Sequence, residues 1–269
     1  MSRAFIESLP FELTGDQKRV LAAITTEVGS GVRMRRLLQG DVGAGKTVVA
    51  LACAELARGN GYQTALMVPS EVLAQQHFRT ANAFLSDANV GLLTGALSKA
   101  ERNETLRLMR GGHLDLVIGT HALFQDDVVF ADDGEKLGLV IIDEQHKFGV
   151  EQRKRLEAKS RAPHLLAMTA TPIPRSLALS LFGDLDLTYL KEKPPGRVPI
   201  RTFVRDPSRA SKVYDYVAEK CHEGSRAFVV FPSIDPIDDI SPGLLLGAEQ
   251  LAEGSLEGLR IGVCHGRMS

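Results

Sequence analysis

The chain has 269 residues, 44% of them hydrophobic and 24% charged, with a formal net charge of −1. That is room and balance for one large globular domain or two smaller ones. No apolar run reaches bilayer length, Met1 to Pro10 lacks the basic-then-apolar pattern of a secretory leader, and the near-neutral charge argues mildly against nucleic acid as a partner, though it leaves room for a local groove that grips phosphates through amides and hydroxyls.

Thr14-Gly15-Asp16-Gln17 opens a helix with Val20, Leu21, Ile24 and Val28 on one side, ended by Gly29 to Gly31. Gln17 has two compatible readings. It completes a capping box with Thr14, or its carboxamide offers a donor and an acceptor matching N6 and N7 of adenine. The arginines Arg33, Arg35 and Arg36 precede the first strand, where a solvated face is the default. Leu37-Leu38 then leads into Gly40-Asp41-Val42-Gly43-Ala44-Gly45-Lys46-Thr47, which fits the phosphate-binding pattern G-x-x-x-x-G-K-[ST] without mismatch. Gly40, Gly43 and Gly45 let the backbone curl so that N–H groups, including that of Ala44, point at phosphate oxygens. Lys46 reaches the β- and γ-phosphates, and the Thr47 hydroxyl holds Mg²⁺. Val48 to Ala52 starts an apolar helix, whose N-terminus favours an anion.

That helix runs to about Arg58. Gln63 to Val68 reads as a buried strand that Pro69 stops, followed by a helix from Glu71 to Leu85. Asn89 to Thr94 is a strand. Ser98 to Glu101 is a capping box whose helix ends at Gly111-Gly112. Leu114 to Ile118 delivers Gly119-Thr120-His121. Leu137 to Ile142 is an apolar strand ending at Asp143-Glu144. A charged helix from Val150 to about Lys159, a strand from Leu165 to Met168 leading into Thr169-Ala170-Thr171-Pro172, and a helix from Pro174 complete the series. Continuously apolar strands alternating with helices describe a mainly parallel sheet covered on both faces. In such sheets ligands sit beyond the carboxyl ends of the strands. Gly40–Thr47, Pro69-Ser70, Gly119–His121, Asp143–His146 and Thr169–Thr171 all fall at those ends, which points to one active face.

Pro194-Pro195-Gly196 reads as a hinge. The expected division is therefore an α/β domain over 1–193, a linker over 194–198 and part of a second α/β domain over 199–269. The second part has strand-like stretches at Ile200 to Val204, Arg226 to Phe231 and Arg260 to Val263, with helices at Ser208 to Cys221 and Leu244 to Ala252. Three strands and two helices are thin for an independent core. Cys53, Cys221 and Cys264 are few, odd in number and far apart, which suits a reducing compartment and shows no zinc spacing.

A phosphate loop hydrolyses nothing without a second carboxylate for Mg²⁺ and a group to orient water. Asp143 and Glu144 offer both: Asp143 for the metal, mostly through water, and Glu144 for the nucleophilic water. A triphosphate and its metal clasped between Lys46 and Asp143 across adjacent strands is the expected geometry. His121 and His146 stand at strand ends. His77, His113, His164 and His222 stand alone and read as surface or satisfied core groups. Thr120 reads equally as a phosphate donor or a helix N-cap.

Asp143-Glu144-Gln145-His146 resembles the DExH box of superfamily 2 helicases. Leu13-Thr14 with Gln17, Pro69-Ser70-Glu71, Gly119-Thr120-His121 and Thr169-Ala170-Thr171 resemble further segments of that superfamily in the same order. The closer similarity is to the RecG family of ATP-dependent DNA helicases, carried by the strings 39–43, 119–125, 143–150, 169–175, 194–197 and 265–268. The transcription-repair coupling factor shares several of these strings, but Gln145 and 122–125 look more like RecG. The resemblance implies two RecA-like domains, the second incomplete here, using ATP and Mg²⁺ to move on double-stranded or branched DNA such as stalled forks and Holliday junctions, as a cytoplasmic monomer. It implies catalytic roles for Lys46, Asp143 and Glu144, and a relay of nucleotide state through Gln145, His146, Thr169 and Thr171. It implies DNA contacts at Pro69, Ser70, Gly119, Thr120 and His121.

The family's wedge domain, later helicase segments with their arginine finger, and C-terminal element have no counterpart in these 269 residues. An arginine finger contributes on the order of 10³–10⁵ in rate, so weak ATP binding and slow turnover are expected. Ser70 stands where Thr is commoner, and the acidic stretch Asp126 to Glu135 before the strand reads as a longer surface loop. Two other classes remain open on the residues alone: a nucleotide-binding module without turnover, and a phosphotransferase with no response to DNA.

Overall fold

The structure is a computed structural model, and it describes residues 3–144, 156–171, 185–194, 200–236 and 243–268. Gln145, His146, the helix expected from Pro174 and most of the one expected from Val150 lie outside the described residues. The chain divides into two units, Met1–Arg197 and Val198–Ser269.

In the first unit helices and strands alternate: α1 (Arg3–Ser8), α2 (Gly15–Gly29), β1 (Arg35–Gly40), α3 (Lys46–Gly59), β2 (Gln63–Met67), α4 (Glu71–Phe84), β3 (Val90–Leu93), α5 (Lys99–Arg110), β4 (Leu116–Gly119), β5 (Leu137–Ile142), β6 (His164–Thr169) and β7 (Asp186–Leu190). The strands form one seven-stranded sheet in the order β3-β4-β2-β5-β6-β1-β7. Every pairing is parallel, so all the carboxyl ends open on one edge. The α/β class with a parallel sheet is the one the sequence predicts.

Alternation along the strands explains the two cores. Leu66, Ile118, Ile141, Leu166 and Met168 face one side with α2 and α3. Ala65, Met67, Val117, Val140, Ile142 and Leu165 face the other, with Met109, Leu123, Phe130 and Leu156. A strand with both faces covered has no polar side to show, hence the unbroken apolar runs. The helix after the glycine loop is enclosed too: Val48 through Glu55 are all buried. Glu55 is tolerated there because Arg58 grips it with two hydrogen bonds of 2.7 Å. Burial pushes the Cys53 thiol up to about 12, which leaves it an inert core group.

Two features of this sheet depart from expectation. β1 and β5 are not adjacent; β6 lies between them. The Lys46 loop and Asp143 are thus separated by two strand spacings, about 10 Å between backbones. Strand order is set by non-local pairing, which no local sequence pattern encodes. The second departure is β7, an edge strand that the apolar-run criterion passes over because only Leu190 is buried.

The second unit has two α-helices among its described residues, α6 (Ala210–His222) and α7 (Gly243–Glu253). None of the three strand-like stretches there forms a ladder among the described residues. Ile200, Val204, Phe228 and Val230 are each more than 80% exposed. β-Branched composition gives a segment the capacity to be a strand, but the strand exists only when its N–H and C=O groups find partners.

Candidate functional site

The glycine loop begins at the carboxyl end of β1 and closes into α3. Gly43 and Gly45 have φ of 78° and 82°, in the left-handed region that a side chain resists. A Cβ at Gly45 would also collide with the Gln17 Nε2. The Lys46 ammonium donates to the carbonyls of Gly40 (2.7 Å) and Asp41 (3.1 Å). Burial lowers its pKa, while Asp143, Glu144 and Asp41 oppose that shift. The lysine therefore feels the two carboxylates across the intervening strand.

That strand fills the gap with Thr169. In register, Gln39 of β1 stands opposite Thr169, and Ile142 of β5 stands opposite Ala167. The end of β1, Thr169 and Asp143 therefore lie abreast along one edge. The hydroxyls of Thr169 and Thr171 are 2.8 Å apart, and the Thr171 N–H donates to the Thr169 Oγ1 at 3.2 Å. The Asp143 N–H continues the sheet to the Met67 carbonyl at 2.9 Å. The next peptide N–H, that of Glu144, donates to the Asp143 Oδ1 at 3.0 Å. Glu144 has φ of 52°, an uncommon backbone for a residue with a Cβ, of the kind that clusters at functional sites.

Gln17 takes the capping reading in full. Its Oε1 accepts from the Thr14 N–H (2.9 Å), and its own N–H donates to the Thr14 Oγ1 (3.3 Å). Its Nε2 makes a further buried bond, donating to the Ala44 carbonyl inside the glycine loop at 3.0 Å. Each carboxamide atom keeps one more hydrogen-bonding position, so the adenine reading remains chemically available. Its neighbour Asp16 is also engaged. The Asp16 carboxylate accepts from the backbone N–H groups of Lys191 (2.7 Å) and Glu192 (2.8 Å), just past β7. The Glu192 carboxylate accepts in return from the Asp16 N–H at 3.1 Å. The Glu192 and Lys191 amides hold the Asp16 carboxyl below the usual carboxylate range. Lys193 pairs with Asp41 of the glycine loop at 3.2 Å.

The residues assigned to nucleic acid are spread over the ends of β2 and β4. Ser70 is exposed and caps α4, accepting from the Leu73 N–H at 3.4 Å. Pro69 is half-buried. Gly119 is buried, and a Cβ there would collide with the Leu93 carbonyl. Thr120 is buried, with a hydroxyl that has no hydrogen-bond partner among the described residues and does not cap the 3-10 helix His121–Phe124 behind it. His121 is exposed. The outward-facing groups of this set are thus Ser70 and His121.

Sequence reasoning missed three arrangements. His77 is not a solitary helical histidine: its Nε2 lies 2.8 Å from the Asp143 Oδ2. Arg33, Arg35 and Arg36 are not a solvated face; the first two meet on one oxygen of Glu157, and Arg36 pairs with Glu27. Their partners lie up to 152 residues away, as with Arg36 and the Thr188 hydroxyl, beyond any local signal. The acidic stretch after Gln125 is not only a surface loop either, since Val128, Phe130 and Ala131 are buried and Arg102 grips Asp127.

The donor set suits a magnesium nucleotide. Among the described residues no group of three or more His, Cys, Asp or Glu could hold a metal alone. Mg²⁺ needs no such cage, because it is commonly held by one or two protein groups together with phosphate oxygens and water. Thr47 and Asp143 are the residues that the sequence assigns to it. No helix among the described residues is long and apolar enough to cross a membrane.

Residues 14–179 match the family model described as DEAD/DEAH box helicase. The chain is 44% identical over 272 residues to the ATP-dependent DNA helicase RecG of Thermotoga maritima, covering 100% of this chain and 34% of that protein. It is 43% identical over 271 residues to the RecG of Staphylococcus epidermidis, covering 99% of this chain and 39% of that one. The chain thus spans between a third and two-fifths of these relatives' length. A solved structure of RecG bound to a three-way DNA junction superimposes with a TM-score of 0.75 at 44% identity, over 87% of this chain and 31% of that one.

Proposed function

This chain belongs to the DEAD/DEAH box helicase family, and on that premise we propose that it is the ATP-hydrolysing part of a RecG-like helicase that remodels branched DNA. Lys46 and the amides of the glycine loop cradle the phosphates. Thr47 and Asp143 would hold Mg²⁺, which would supply charge neutralisation at the transferred phosphoryl group. Glu144 orients the attacking water. The Thr169–Thr171 pair, lying between loop and carboxylates, registers which nucleotide is bound, together with Gln145 and His146. Ser70 and His121 meet the DNA backbone, beside Pro69, Gly119 and Thr120. The protein works as a cytoplasmic monomer. Supporting this reading above all is the alignment of Lys46, Thr169 and Asp143-Glu144 on one sheet edge, where burial lowers the lysine's pKa and the two carboxylates oppose that shift.

The test is binding of a fluorescent ATP analogue, followed by hydrolysis with and without a three-way junction. Lys46→Ala should abolish binding of the magnesium nucleotide. Glu144→Gln should keep binding and remove turnover. Unchanged binding by Lys46→Ala would end this reading. A second reading, a nucleotide-binding part with little turnover of its own, is supported by the absence of a sheet among the described residues of the second unit. It predicts binding in the wild type with hydrolysis that junction DNA does not accelerate.

A further inference from the structure

His77 lies in the second turn of α4 with its side chain 9% exposed, and its Nε2 is 2.8 Å from the Asp143 Oδ2. With Asp143 ionised, the carboxylate accepts and Nε2 carries the hydrogen. The other oxygen, Oδ1, accepts from the Glu144 N–H. Each carboxylate oxygen thus has one fixed donor and one lone-pair direction left, so the plane of the carboxylate is set from both sides. The backbone below is fixed as well, since the Asp143 N–H bonds the Met67 carbonyl of β2, the strand that runs on into α4.

We propose that His77 is a positioning residue that orients Asp143 for the metal ion of the nucleotide complex. The inference rests on the proposed role of Asp143 as a magnesium ligand. A carboxylate that binds Mg²⁺ weakly, or through water, loses affinity when its rotamer is free, because ordering it then costs entropy at the moment of binding. Outer partners of metal ligands are commonly worth 10–100-fold in metal affinity. A histidine that merely filled space between α4 and the sheet would have no such effect.

The variants His77→Ala, His77→Gln and His77→Asn separate the two cases. The glutamine amide can present a donor where Nε2 stands; the shorter asparagine amide cannot. Mn²⁺ binding to the chain with saturating ADP, read by electron paramagnetic resonance, should weaken about tenfold in His77→Ala and His77→Asn and return to within about threefold of wild type in His77→Gln. Nucleotide binding in EDTA should be unchanged throughout. Should His77→Ala fail to fold, the Gln and Asn pair still carries the comparison. Equal Mn²⁺ affinity in wild type and all variants would overturn the inference. So would a parallel loss of metal-free nucleotide binding, the mark of a packing role. A wild-type chain that binds no nucleotide would instead overturn the proposed function, and this inference with it.

Discussion

Substituting Gly45 by alanine tests whether Gln17 braces the glycine loop. Gly45 has φ of 82°, and a left-handed backbone costs an alanine about 1–2 kcal/mol. The new methyl would also collide with the Gln17 Nε2, so the carboxamide must withdraw. Withdrawal breaks its buried bond to the Ala44 carbonyl. Leaving such an acceptor unsatisfied costs about 1–3 kcal/mol more. Gly45→Ala should therefore destabilise the wild type by about 2–5 kcal/mol, but a Gln17→Ala background by only about 1–2 kcal/mol. Urea unfolding of wild type, the two single variants and the double variant gives the coupling directly, expected near 1–3 kcal/mol. If Gly45→Ala cost the same in both backgrounds, to within about 0.5 kcal/mol, Gln17 would not be bracing the loop.

Gln63 is a buried junction, donating to the Met109 and Leu114 carbonyls and accepting from the Ala131 N–H. Gln63→Leu should lower stability by about 2–4 kcal/mol in urea unfolding with an unchanged slope, because the leucine fills space without replacing the bonds. Asp16→Ala should speed amide hydrogen exchange at Lys191 and Glu192 by about tenfold, since each loses its acceptor, while β1 stays protected. His164 accepts at Nδ1 from the Met34 N–H, and burial lowers its pKa. The unfolded chain then binds more protons, so this contribution is complete above about pH 6.5 and is lost as pH falls through the lowered folded value. His164→Asn, whose amide oxygen can replace Nδ1, should flatten the difference in unfolding midpoint between about pH 7 and about pH 5.

The sequence shows the strands, the glycine loop and the carboxylate pair because each is a local pattern. Apolar runs mark strands covered on both faces, and the polar clusters stand where those strands end. What it hides is everything decided by neighbours in space. The interposition of β6 depends on pairing between segments more than a hundred residues apart. The tie between His77 and Asp143 depends on how α4 is rotated against the sheet. β7 is recognisable only through its ladder with β1. The stretches at 200–204, 226–231 and 260–263 show the converse, with strand composition but no ladder among the described residues.

Before the polypeptide leaves β7 for whatever follows, it is stapled to the amino end of α2 by Asp16 and Glu192. The chain just before Pro194 is therefore fastened twice, at Lys193 to Asp41 of the glycine loop and at Lys191 and Glu192 to Asp16, one peptide bond from the side chain that steadies that loop. Strain arriving along the backbone at that spot is thereby shared between the glycine loop and the start of α2 rather than carried by the edge strand alone.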